Sequence, residues 1–279
     1  MKLYTTISSL QVAIKTDRAK GLKVGFVPTM GALHEGHLSL VEQAGTSSDI
    51  VVVSIFVNPN QFNDSNDLAN YPRTMEEDLK LLSTVRCDYV FYPDVEEIYP
   101  VPDTRQFSFG ILENVMEGKF RPGHFNGVAQ VVSRLFEIVD PDLAYFGRKD
   151  FQQLAVIKNL VLQLQLRVEI VACDIVREPD GLAMSSRNKL LLPEYREVAP
   201  LIYRTLMQAK SLSATSSLEN VKEYVLDEIS RTNLLTAEYF EIVDDTNLQS
   251  IKSWNEPGIK VGCIAVFAGK IRLIDNLIF

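Results

Sequence analysis

The nine-residue run DIVVVSIFV, residues 49–57, constrains the fold of this chain more than any other stretch. Its β-branched and aromatic residues favour an extended strand. Apolar side chains occupy both alternating positions, so both faces of that strand must be covered. Strands buried on both faces are typical of parallel sheets that carry helices on each side. The run therefore predicts a parallel sheet at the centre of an α/β fold.

The same pattern repeats along the first 176 residues. Short apolar runs alternate with stretches in which apolar residues recur at helical spacing. Strands separated by helices of this length form right-handed βαβ units and a doubly wound sheet. The predicted strands are KVGFVP (23–28), DIVVVSIFV (49–57), CDYVFYP (87–93), LAYFG (143–147) and VEIVACDIV (168–176), and the predicted helices are residues 37–45, 73–85, 127–139 and 151–164.

After residue 176 the order of the elements changes. Two helical segments precede three strand-like runs, and Gly269 joins the last two as a hairpin. We therefore expect a Rossmann-like doubly wound parallel sheet in residues 1–176 and a second, smaller α+β C-terminal lid domain in residues 177–279. The segments of this second part are the helices near 193–213 and 217–231 and the strands at 237–243, 260–268 and 270–278.

Composition narrows the class of protein. Of the 279 residues, 46% are hydrophobic and 23% charged, so the chain can bury one large core or two moderate ones and is not disordered. Its net charge of -8 argues against a general nucleic-acid binder, which carries a basic surface. The three cysteines are far apart and match neither a disulfide framework nor a zinc ribbon. No apolar run approaches the ~18 residues of a membrane span, and we expect a cytoplasmic protein.

Polar residues follow four of the predicted strands. In open α/β sheets, ligands bind outside the carboxyl ends of the strands, near the point where the strand order reverses. A scaffold without a ligand has little reason to gather polar groups there, so this rim is the predicted binding site. The residues at these strand ends are Thr29, Met30, Gly31, His34, Gly36, His37, Asn58, Asn60, Gln61, Arg148, Lys149, Asp150, Gln153, Arg177 and the run GLAMSSRN (181–188).

The stretch HEGH, residues 34–37, admits three interpretations. Zinc peptidases place their histidines at i and i+4, whereas here the spacing is i, i+3 with an intervening glycine and no third ligand nearby, which argues against a metal site. As a phosphate site, Gly31 and Gly36 allow close backbone approach, and the helix start and both imidazoles offer hydrogen-bond donors. The remaining alternative is structural: one histidine caps the helix and the other packs.

The run AMSSRN, residues 183–188, has a functional and a structural interpretation. It follows the turn signal PDG, which indicates a loop. Two hydroxyls and Arg187 suit the binding of phosphates, since a guanidinium forms bidentate pairs with them. Alternatively, Ser185 or Ser186 caps the next helix.

Two other stretches are equally open. In GRKD, residues 147–150, Lys149 is either a phosphate ligand or a solvated side chain, and Asp150 is also a candidate helix N-cap. His124 lies in EGKFRPGHFNG, residues 117–127, which is either an anion-binding loop that opens a helix or a solvated loop.

Taken together, HEGH and AMSSR resemble the paired signatures of the nucleotidylyltransferase and class I synthetase superfamily, an H-I-G-H-type motif and a K-M-S-K-S-type loop. The chain departs from the loop pattern at Ala183, which stands in place of the first lysine, so Lys149 becomes the candidate for that phosphate contact. Six ordered blocks narrow the resemblance to the pantothenate synthetase family. They are VPTMGALHEGHLSLV, FVNPNQF, YPRTMEEDL, FRPGHFNGVAQVV, YFGRKDFQQLAVI and REPDGLAMSSRN.

The resemblance implies an ATP-dependent ligation of pantoate to β-alanine. The pantoate carboxylate would attack the α-phosphorus of ATP, giving pantoyl adenylate and pyrophosphate, and the amine of β-alanine would then displace AMP. The resemblance also implies Mg²⁺ as a partner of the phosphates, with Asp150 as its contact. It implies a homodimer as well. This chemistry needs no covalent enzyme nucleophile.

The resemblance also implies roles for individual residues. His37, His34, Lys149 and Arg187 are the catalytic candidates. The pantoate and β-alanine site is assigned to Gln61 and Gln153, with Asn58 alongside and Met30 at the wall. The ATP-contacting residues are Met30, Gly31, Ala32, Leu33, His34, Glu35, Gly36, His37, Gly147, Arg148, Lys149, Asp150, Val176, Met184, Ser185, Ser186 and Arg187.

Three other functions share parts of this pattern. A nucleotidylyltransferase without ligase activity would keep both ATP motifs but would not need the amides of NPNQF and FQQ. A tRNA-charging enzyme would need a basic surface, and residues 177–279 contain no basic run. A non-catalytic nucleotide sensor would keep the fold and lose some of the four catalytic candidates, yet all four are present.

Overall fold

The structure, a computed structural model, describes residues 1–62 and 65–279, and of residues 65–67 only the backbone. Its larger sheet contains six parallel strands in the order β1-β4-β3-β2-β5-β6. The predicted Rossmann-like α/β fold is thereby confirmed. The six strands are β1 (Lys2–Tyr4), β2 (Val24–Thr29), β3 (Ile50–Ile55), β4 (Tyr89–Phe91), β5 (Leu143–Gly147) and β6 (Glu169–Cys173).

The edge strand β1 and the first helix, α1 (Ile7–Arg18), were not predicted from the sequence. Both are short or weakly amphipathic, so their apolar periodicity is faint. The other helices of this part lie at or near the predicted positions or in the connections between them. They are α2 (Glu35–Ser47), α3 (Ser65–Asn70), α4 (Met75–Leu82), α5 (Val95–Ile98), α6 (Met116–Phe120), α7 (His124–Val139) and α8 (Phe151–Gln163).

Helices cover both faces of the large sheet, as the apolar run 49–57 predicted. Val52 packs with residues of α1, α7 and α8 in one buried cluster. Its neighbours Val51 and Val53 pack with residues of α2 and α4 in another cluster. Adjacent residues of a strand face opposite sides, so this alternation shows that β3 is buried on both faces.

The order of the strands reverses between β2 and β5. From β2 the chain adds β3 and β4 on one side, and it then returns to add β5 and β6 on the other side. The two central strands are in register, with Gly25 opposite Leu143 and Phe26 opposite Ala144. The loops that leave the carboxyl ends of β2 and β5 therefore diverge and leave a crevice between them.

The second part of the chain forms a three-stranded antiparallel sheet in the order β7-β8-β9, with helices packed on it. The predicted hairpin at Gly269 is present, and this glycine has a φ of +60°. The single helical segment predicted near 193–213 is in fact two helices, because Pro200 begins a new one. The elements are α9 (Pro193–Val198), α10 (Leu201–Leu212), α11 (Leu218–Ser230), β7 (Leu235–Asp244), β8 (Lys260–Ala268) and β9 (Ile271–Ile278).

The two sheets share part of one core. Val243, Val261 and Cys263 of the smaller sheet are buried in the same cluster as Phe125 of α7 and Phe146 of β5. The division at residues 176 and 177 stays a prediction. No helix among the described residues is both long and apolar enough to cross a bilayer.

Candidate active site

A cavity of about 220 Å³ lies at the crevice between β2 and β5. The stretches that follow β2, β3, β5 and β6 all contribute to its wall, so the structure brings together residues that are far apart in the sequence. The predicted site residues that line the cavity are Thr29, Met30, His34, Gly36, His37, Gln61, Gly147, Lys149, Asp150, Gln153, Val176, Met184, Ser185, Ser186 and Arg187.

His34 is both the N-cap of α2 and part of the cavity wall. Its Nδ1 accepts a hydrogen bond of 3.1 Å from the backbone N–H of Gly36. Burial, followed by the positive charges of Lys149 and Lys189, lowers the pKa of His34 to about 4. The ring is therefore neutral at pH 7, and because Nδ1 accepts, the proton resides on Nε2. His34 caps the helix and still has one N–H for a ligand.

His37 stands one helical turn further on, and its ring centroid is 4.1 Å from that of His34. Burial, His34 and Lys149 lower the pKa of His37 well below its usual value. Within the part of the chain that the structure describes, Nδ1 of His37 is buried without a hydrogen-bond partner. An unsatisfied buried polar atom is costly, so its presence beside a ligand cavity points to function rather than to packing.

Gly36 shows why the two signature motifs meet. A Cβ at this position would lie 2.9 Å from the His34 ring, so any larger residue would displace the histidine. The same Cβ would be only 3.6 Å from Cβ of Met184, in the MSSRN loop. Residues 34–37 and 184–187 therefore lie side by side in the lining of the cavity.

The loop between β2 and α2 is held by a side chain that the sequence analysis missed. Asp78 of α4 is 1% exposed and accepts hydrogen bonds from the backbone N–H groups of Ala32, at 3.0 Å, and Leu33, at 2.8 Å. Gly31 and Ala32 have φ values of +79° and +50°, in the left-handed region that only glycine adopts at no cost. Asp78 thus stabilises a strained backbone directly before HEGH.

The loop 184–187 begins with a capping interaction and packs against a tyrosine. The Ser185 hydroxyl accepts from the backbone N–H of Arg187 at 3.3 Å, as the structural interpretation predicted. The hydroxyls of Ser186 and Tyr71 are 3.4 Å apart, and the Arg187 guanidinium is 6.0 Å from the centre of the Tyr71 ring. Tyr71 belongs to the block YPRTMEEDL, so this segment touches the loop at one end and residues 32–33 at the other.

Lys149 and Asp150 lie on a single 3₁₀ turn, Arg148–Asp150, between β5 and α8. The Lys149 side chain is only 19% exposed, and its Nζ is 3.9 Å from a carboxylate oxygen of Asp150. Lys149 is therefore not the solvated surface residue of the structural interpretation. It places a positive charge in the wall, close enough to His34 and His37 to lower the pKa of both rings.

The lining of the cavity also includes neutral amides. Gln61 donates from Nε2 to the sulfur of Met30 at 2.7 Å, and its Oε1 accepts from Asn58 at 3.3 Å. Asn58 is 1% exposed, also donates to the carbonyl oxygen of Gly127, and does not line the cavity. Asn58 thus orients Gln61, whereas Gln153 lines the cavity directly.

His124 is neither solvated nor in the wall of the cavity. It is 6% exposed, its Nε2 lies 3.1 Å from Nη1 of Arg121, and its Nδ1 lies 2.8 Å from the carbonyl oxygen of Gln61. A guanidinium can only donate, so Nε2 accepts and the proton is on Nδ1. Burial, followed by the charge of Arg121, lowers the pKa of His124 to about 4. The ring therefore donates to the backbone carbonyl of Gln61 and holds it in place.

Comparison with known proteins decides the family. A family model described as pantoate–β-alanine ligase matches residues 2–278. The chain belongs to this family. The pantothenate synthetase of Bacteroides fragilis is 54% identical over 277 residues, which cover 99% of this chain and 98% of that protein. The pantothenate synthetase of Fervidobacterium nodosum is 47% identical over 280 residues, 100% of this chain and 99% of that protein.

Solved structures of the pantoate–β-alanine ligase family share the whole fold. The crystal structure of pantothenate synthetase from Thermus thermophilus has a TM-score of 0.93 and 42% identity, with 99% of each chain covered. The pantoate–β-alanine ligase from Francisella tularensis, crystallised with beta-gamma ATP and β-alanine, has a TM-score of 0.83 and 36% identity. That match covers 99% of this chain and 97% of the Francisella chain.

Some predicted site residues of this ligase family member lie away from the cavity. Ala32 and Leu33 are 1% and 2% exposed, and their N–H groups are bound to Asp78. Glu35 is exposed at the start of α2, and Arg148 pairs with Asp174 at 3.5 Å. The residues outside the lining are Gly31, Ala32, Leu33, Glu35, Arg148 and Asn58.

Sequence reasoning also missed the apolar part of the wall. Tyr145 and Phe146 of β5 and three valines of α7 line the cavity, although their sequence pattern is that of ordinary core residues. No local signal separates a core valine from one that faces a ligand. The missed lining residues are Pro28, Leu40, Phe56, Tyr71, Val128, Val131, Val132, Leu135, Tyr145, Phe146, Asp174 and Ile175.

The donors around the cavity fit a cation held mainly by phosphates. No group of three or more His, Cys, Asp or Glu residues suited to a metal occurs among residues 1–62 and 65–279. The carboxylates in the wall are Asp150 and Asp174, with side chains 48% and 93% exposed. Mg²⁺ commonly binds to one or two carboxylates together with substrate phosphates and water, so this pair suits it.

Proposed function

We propose that the chain ligates pantoate to β-alanine with ATP through a pantoyl-adenylate intermediate, releasing pyrophosphate and then AMP. One observation carries the proposal: HEGH, the Lys149 turn and the MSSRN loop line the same cavity as Gln61 and Gln153. The first three segments suit a nucleoside triphosphate, and the two glutamines suit a substrate that carries hydroxyls. The membership of the pantoate–β-alanine ligase family supports this assignment.

In the first step, the pantoate carboxylate attacks the α-phosphorus and pyrophosphate leaves. Negative charge grows on the phosphate oxygens, and donors fixed in advance stabilise it without reorganising. Lys149 and Arg187 supply positive charge. Because their pKa values are lowered, His34 and His37 act as neutral N–H donors rather than as imidazolium ions.

At the pantoate end, amides are better suited than charged groups. A cation against the pantoate carboxylate would stabilise it and reduce its nucleophilicity, whereas Gln61 and Gln153 can bind hydroxyls and still leave the carboxylate reactive. We assign Asn58 to this site indirectly, through its hydrogen bond to Oε1 of Gln61. Met30 closes the wall beside that amide.

In the second step, the amine of β-alanine attacks the acyl carbon of the adenylate and AMP leaves. The groups that stabilised the first transition state remain next to the α-phosphate, which is now the leaving group. We assign Asp150, with Asp174, to hold Mg²⁺ together with the phosphates. The ion would neutralise part of the charge on the pyrophosphate.

Three further assignments belong to this proposal. We propose that residues 177–279 act as a lid unit over the site, that the protein is a homodimer, and, from its composition rather than from the resemblance, that it works in the cytoplasm. Light scattering tests the dimer directly, since a monomeric mass near the 31.4 kDa of one chain would exclude it.

An assay with each substrate omitted in turn tests the activity. We expect pyrophosphate release to require ATP and pantoate, and AMP release to require β-alanine as well. A nucleotidylyltransferase would release pyrophosphate and show no β-alanine-dependent AMP. A nucleotide sensor would bind ATP and release neither product, and either outcome would overturn the proposed function.

A further inference from the structure

One residue of the smaller sheet reaches the Lys149 turn. Asn276, on β9, is 5% exposed, and its Nδ2 donates to the carbonyl oxygens of Arg148, at 2.8 Å, and Lys149, at 3.0 Å. A side-chain amide has two hydrogens, so it can bind both carbonyls at once. The backbone that carries Lys149 is thus fastened to a strand that comes 127 residues later in the chain.

Asn276 is itself firmly held. The preceding residue, Asp275, forms a bidentate pair with Arg177, with N–O distances of 2.6 and 2.9 Å, and its side chain is 3% exposed. The backbone N–H of Asn276 donates to the Asp275 carboxylate at 2.8 Å. Bidentate arginine–carboxylate pairs restrict orientation as well as distance, so the peptide 275–276 has little freedom.

Arg177, the partner of Asp275, also contacts residues next to the MSSRN loop. Arg177 forms a β-bridge with Ala183, and its guanidinium also donates to the carbonyl oxygen of Gly181 at 3.2 Å. Arg177 therefore ties the base of the loop 184–187 to Asp275. Two adjacent residues of β9 connect the two segments that carry Lys149 and Arg187.

We propose that Asn276 is a positioning residue that fixes Lys149 relative to the MSSRN loop, so that both cations reach the same triphosphate. The proposal rests on the phosphate role assigned to Lys149 above. Misplacement of a catalytic group by ~1 Å can cost on the order of 10²-fold in rate, and a single 3₁₀ turn has few backbone hydrogen bonds of its own with which to resist such a shift. The amide of Asn276 supplies that resistance.

The test is a double-mutant cycle on the first step, measured as pantoate-dependent pyrophosphate release. Asn276→Asp keeps the shape but replaces the donor with an oxygen that faces two carbonyl oxygens. We expect it to lower the first-step rate constant by about 10- to 100-fold, with a smaller change in the KM for pantoate. In a Lys149→Ala background the same substitution should cost nothing further, because the group that it positions is gone.

Leu277→Ala is the matched control. Leu277 is the next residue of β9 and packs on the core of the smaller sheet, so its truncation lowers the thermal midpoint without touching the Lys149 turn. Its first-step rate should stay normal at temperatures where it is folded. If Asn276→Asp does not fold, Asn276→Ala serves in the same cycle.

The outcomes separate the two proposals. A normal rate for Lys149→Ala would overturn the role of Lys149 itself. A slow Lys149→Ala together with a normal Asn276→Asp, or with losses that multiply in the double variant, would overturn the positioning role alone. A loss for Leu277→Ala as large as that for Asn276→Asp would reduce Asn276 to a stabilising residue.

Discussion

At the scale of single residues, one histidine of HEGH forms the predicted helix cap, and the phosphate role of both histidines stays a prediction. His34 caps α2 through Nδ1, as the structural interpretation predicted, and the same bond places its proton on Nε2 for a ligand. His37 has no such partner among the described residues for its buried Nδ1. Because only His37 is left unsatisfied by the fold, it is the more catalytic candidate of the two.

Replacing His37 tests this assignment. His37→Ala should slow adenylate formation by about 10²-fold or more, as expected for removal of a preorganised donor to a developing charge. Single-turnover release of pyrophosphate measures this step directly. His37→Gln retains a side-chain N–H and should lose less, and an unchanged rate in His37→Ala would remove the residue from the mechanism.

The lowered pKa of His124 predicts that the free energy of unfolding depends on pH. Its pKa in the folded protein is about 4, below the ~6.5 of an unfolded histidine, so the unfolded state binds more protons between these values. The contribution of the neutral ring is present above pH ~6.5 and is lost as the pH falls towards 4, by roughly 3 kcal/mol at most.

Urea unfolding at a series of pH values between about 7.5 and 4.5 measures that loss. Carboxylates also titrate in this range, so the informative quantity is the difference between the wild type and His124→Gln. We expect the free energy of unfolding of His124→Gln to fall less steeply below pH ~6.5. Parallel curves for the two proteins would show that His124 titrates normally in the folded state.

At the scale of elements, α4 supports the start of α2 from outside the cavity. Asp78 receives two N–H groups of the connecting loop, and the Thr74 hydroxyl donates to the same carboxylate at 3.2 Å. A Cβ on Gly31 would lie 2.9 Å from that carboxylate, so the close approach also requires a glycine. The block YPRTMEEDL therefore acts on HEGH through the backbone rather than through the substrate.

Asp78→Asn tests this support. Each oxygen of the Asp78 carboxylate accepts a backbone N–H, from Ala32 or Leu33. The side-chain amide of the variant has only one oxygen, so its NH₂ group must face one of these two N–H donors. We expect a loss of about 1–3 kcal/mol in unfolding free energy, since a buried donor is left unsatisfied, together with a slower first step. Glu77→Gln, at the exposed neighbouring position, should change neither quantity, and equal behaviour of the two variants would contradict the role of Asp78.

At the scale of the whole molecule, a buried ion network joins the smaller sheet to helix α6 of the first part of the chain. Arg272 of β9 makes bonds of 2.6 and 2.8 Å to Glu117 of α6 and of 2.6 and 3.0 Å to Glu238 of β7, while the Tyr239 hydroxyl donates to Glu117 at 2.8 Å. Burial alone would raise the pKa of Glu117, but Arg272, Tyr239 and Arg121 outweigh it and hold the pKa below its usual value. The carboxylate thus stays charged at the contact between α6 and the smaller sheet.

Arg272→Leu should destabilise the protein strongly, because it leaves Glu117 and Glu238 close together without their shared cation. Removing one partner of a buried pair costs about 3–5 kcal/mol, which in a chain of this size lowers the thermal midpoint by on the order of 10 °C. Differential scanning calorimetry measures the shift. Arg231→Leu is the control, since the arginine of its pair with Glu228 is largely exposed and should contribute little.

Much of this protein was accessible from its sequence. The two-sided burial of 49–57 predicted the parallel sheet, and the residues after each strand predicted the rim where ligands bind, because strand periodicity and strand ends are local properties. HEGH and MSSRN identified the two candidate phosphate-binding segments and, through the family blocks, the substrates. The short edge strand β1 was missed because its local pattern is weak, whereas the break near residue 200 had a local signal, Pro200 itself, that the prediction of one helical segment overlooked.

Only the tertiary structure decided which residues act on which. Asp78, Asn276 and Arg272 look like ordinary polar residues of an amphipathic helix or strand, and their roles arise from partners 45 to 155 positions away. The neutral state of His34 likewise depends on burial and on Lys149, which are properties of the assembled site. Sequence patterns determine the local elements and the chemical groups they carry, whereas distance, burial and charge environment exist only once those elements have packed together.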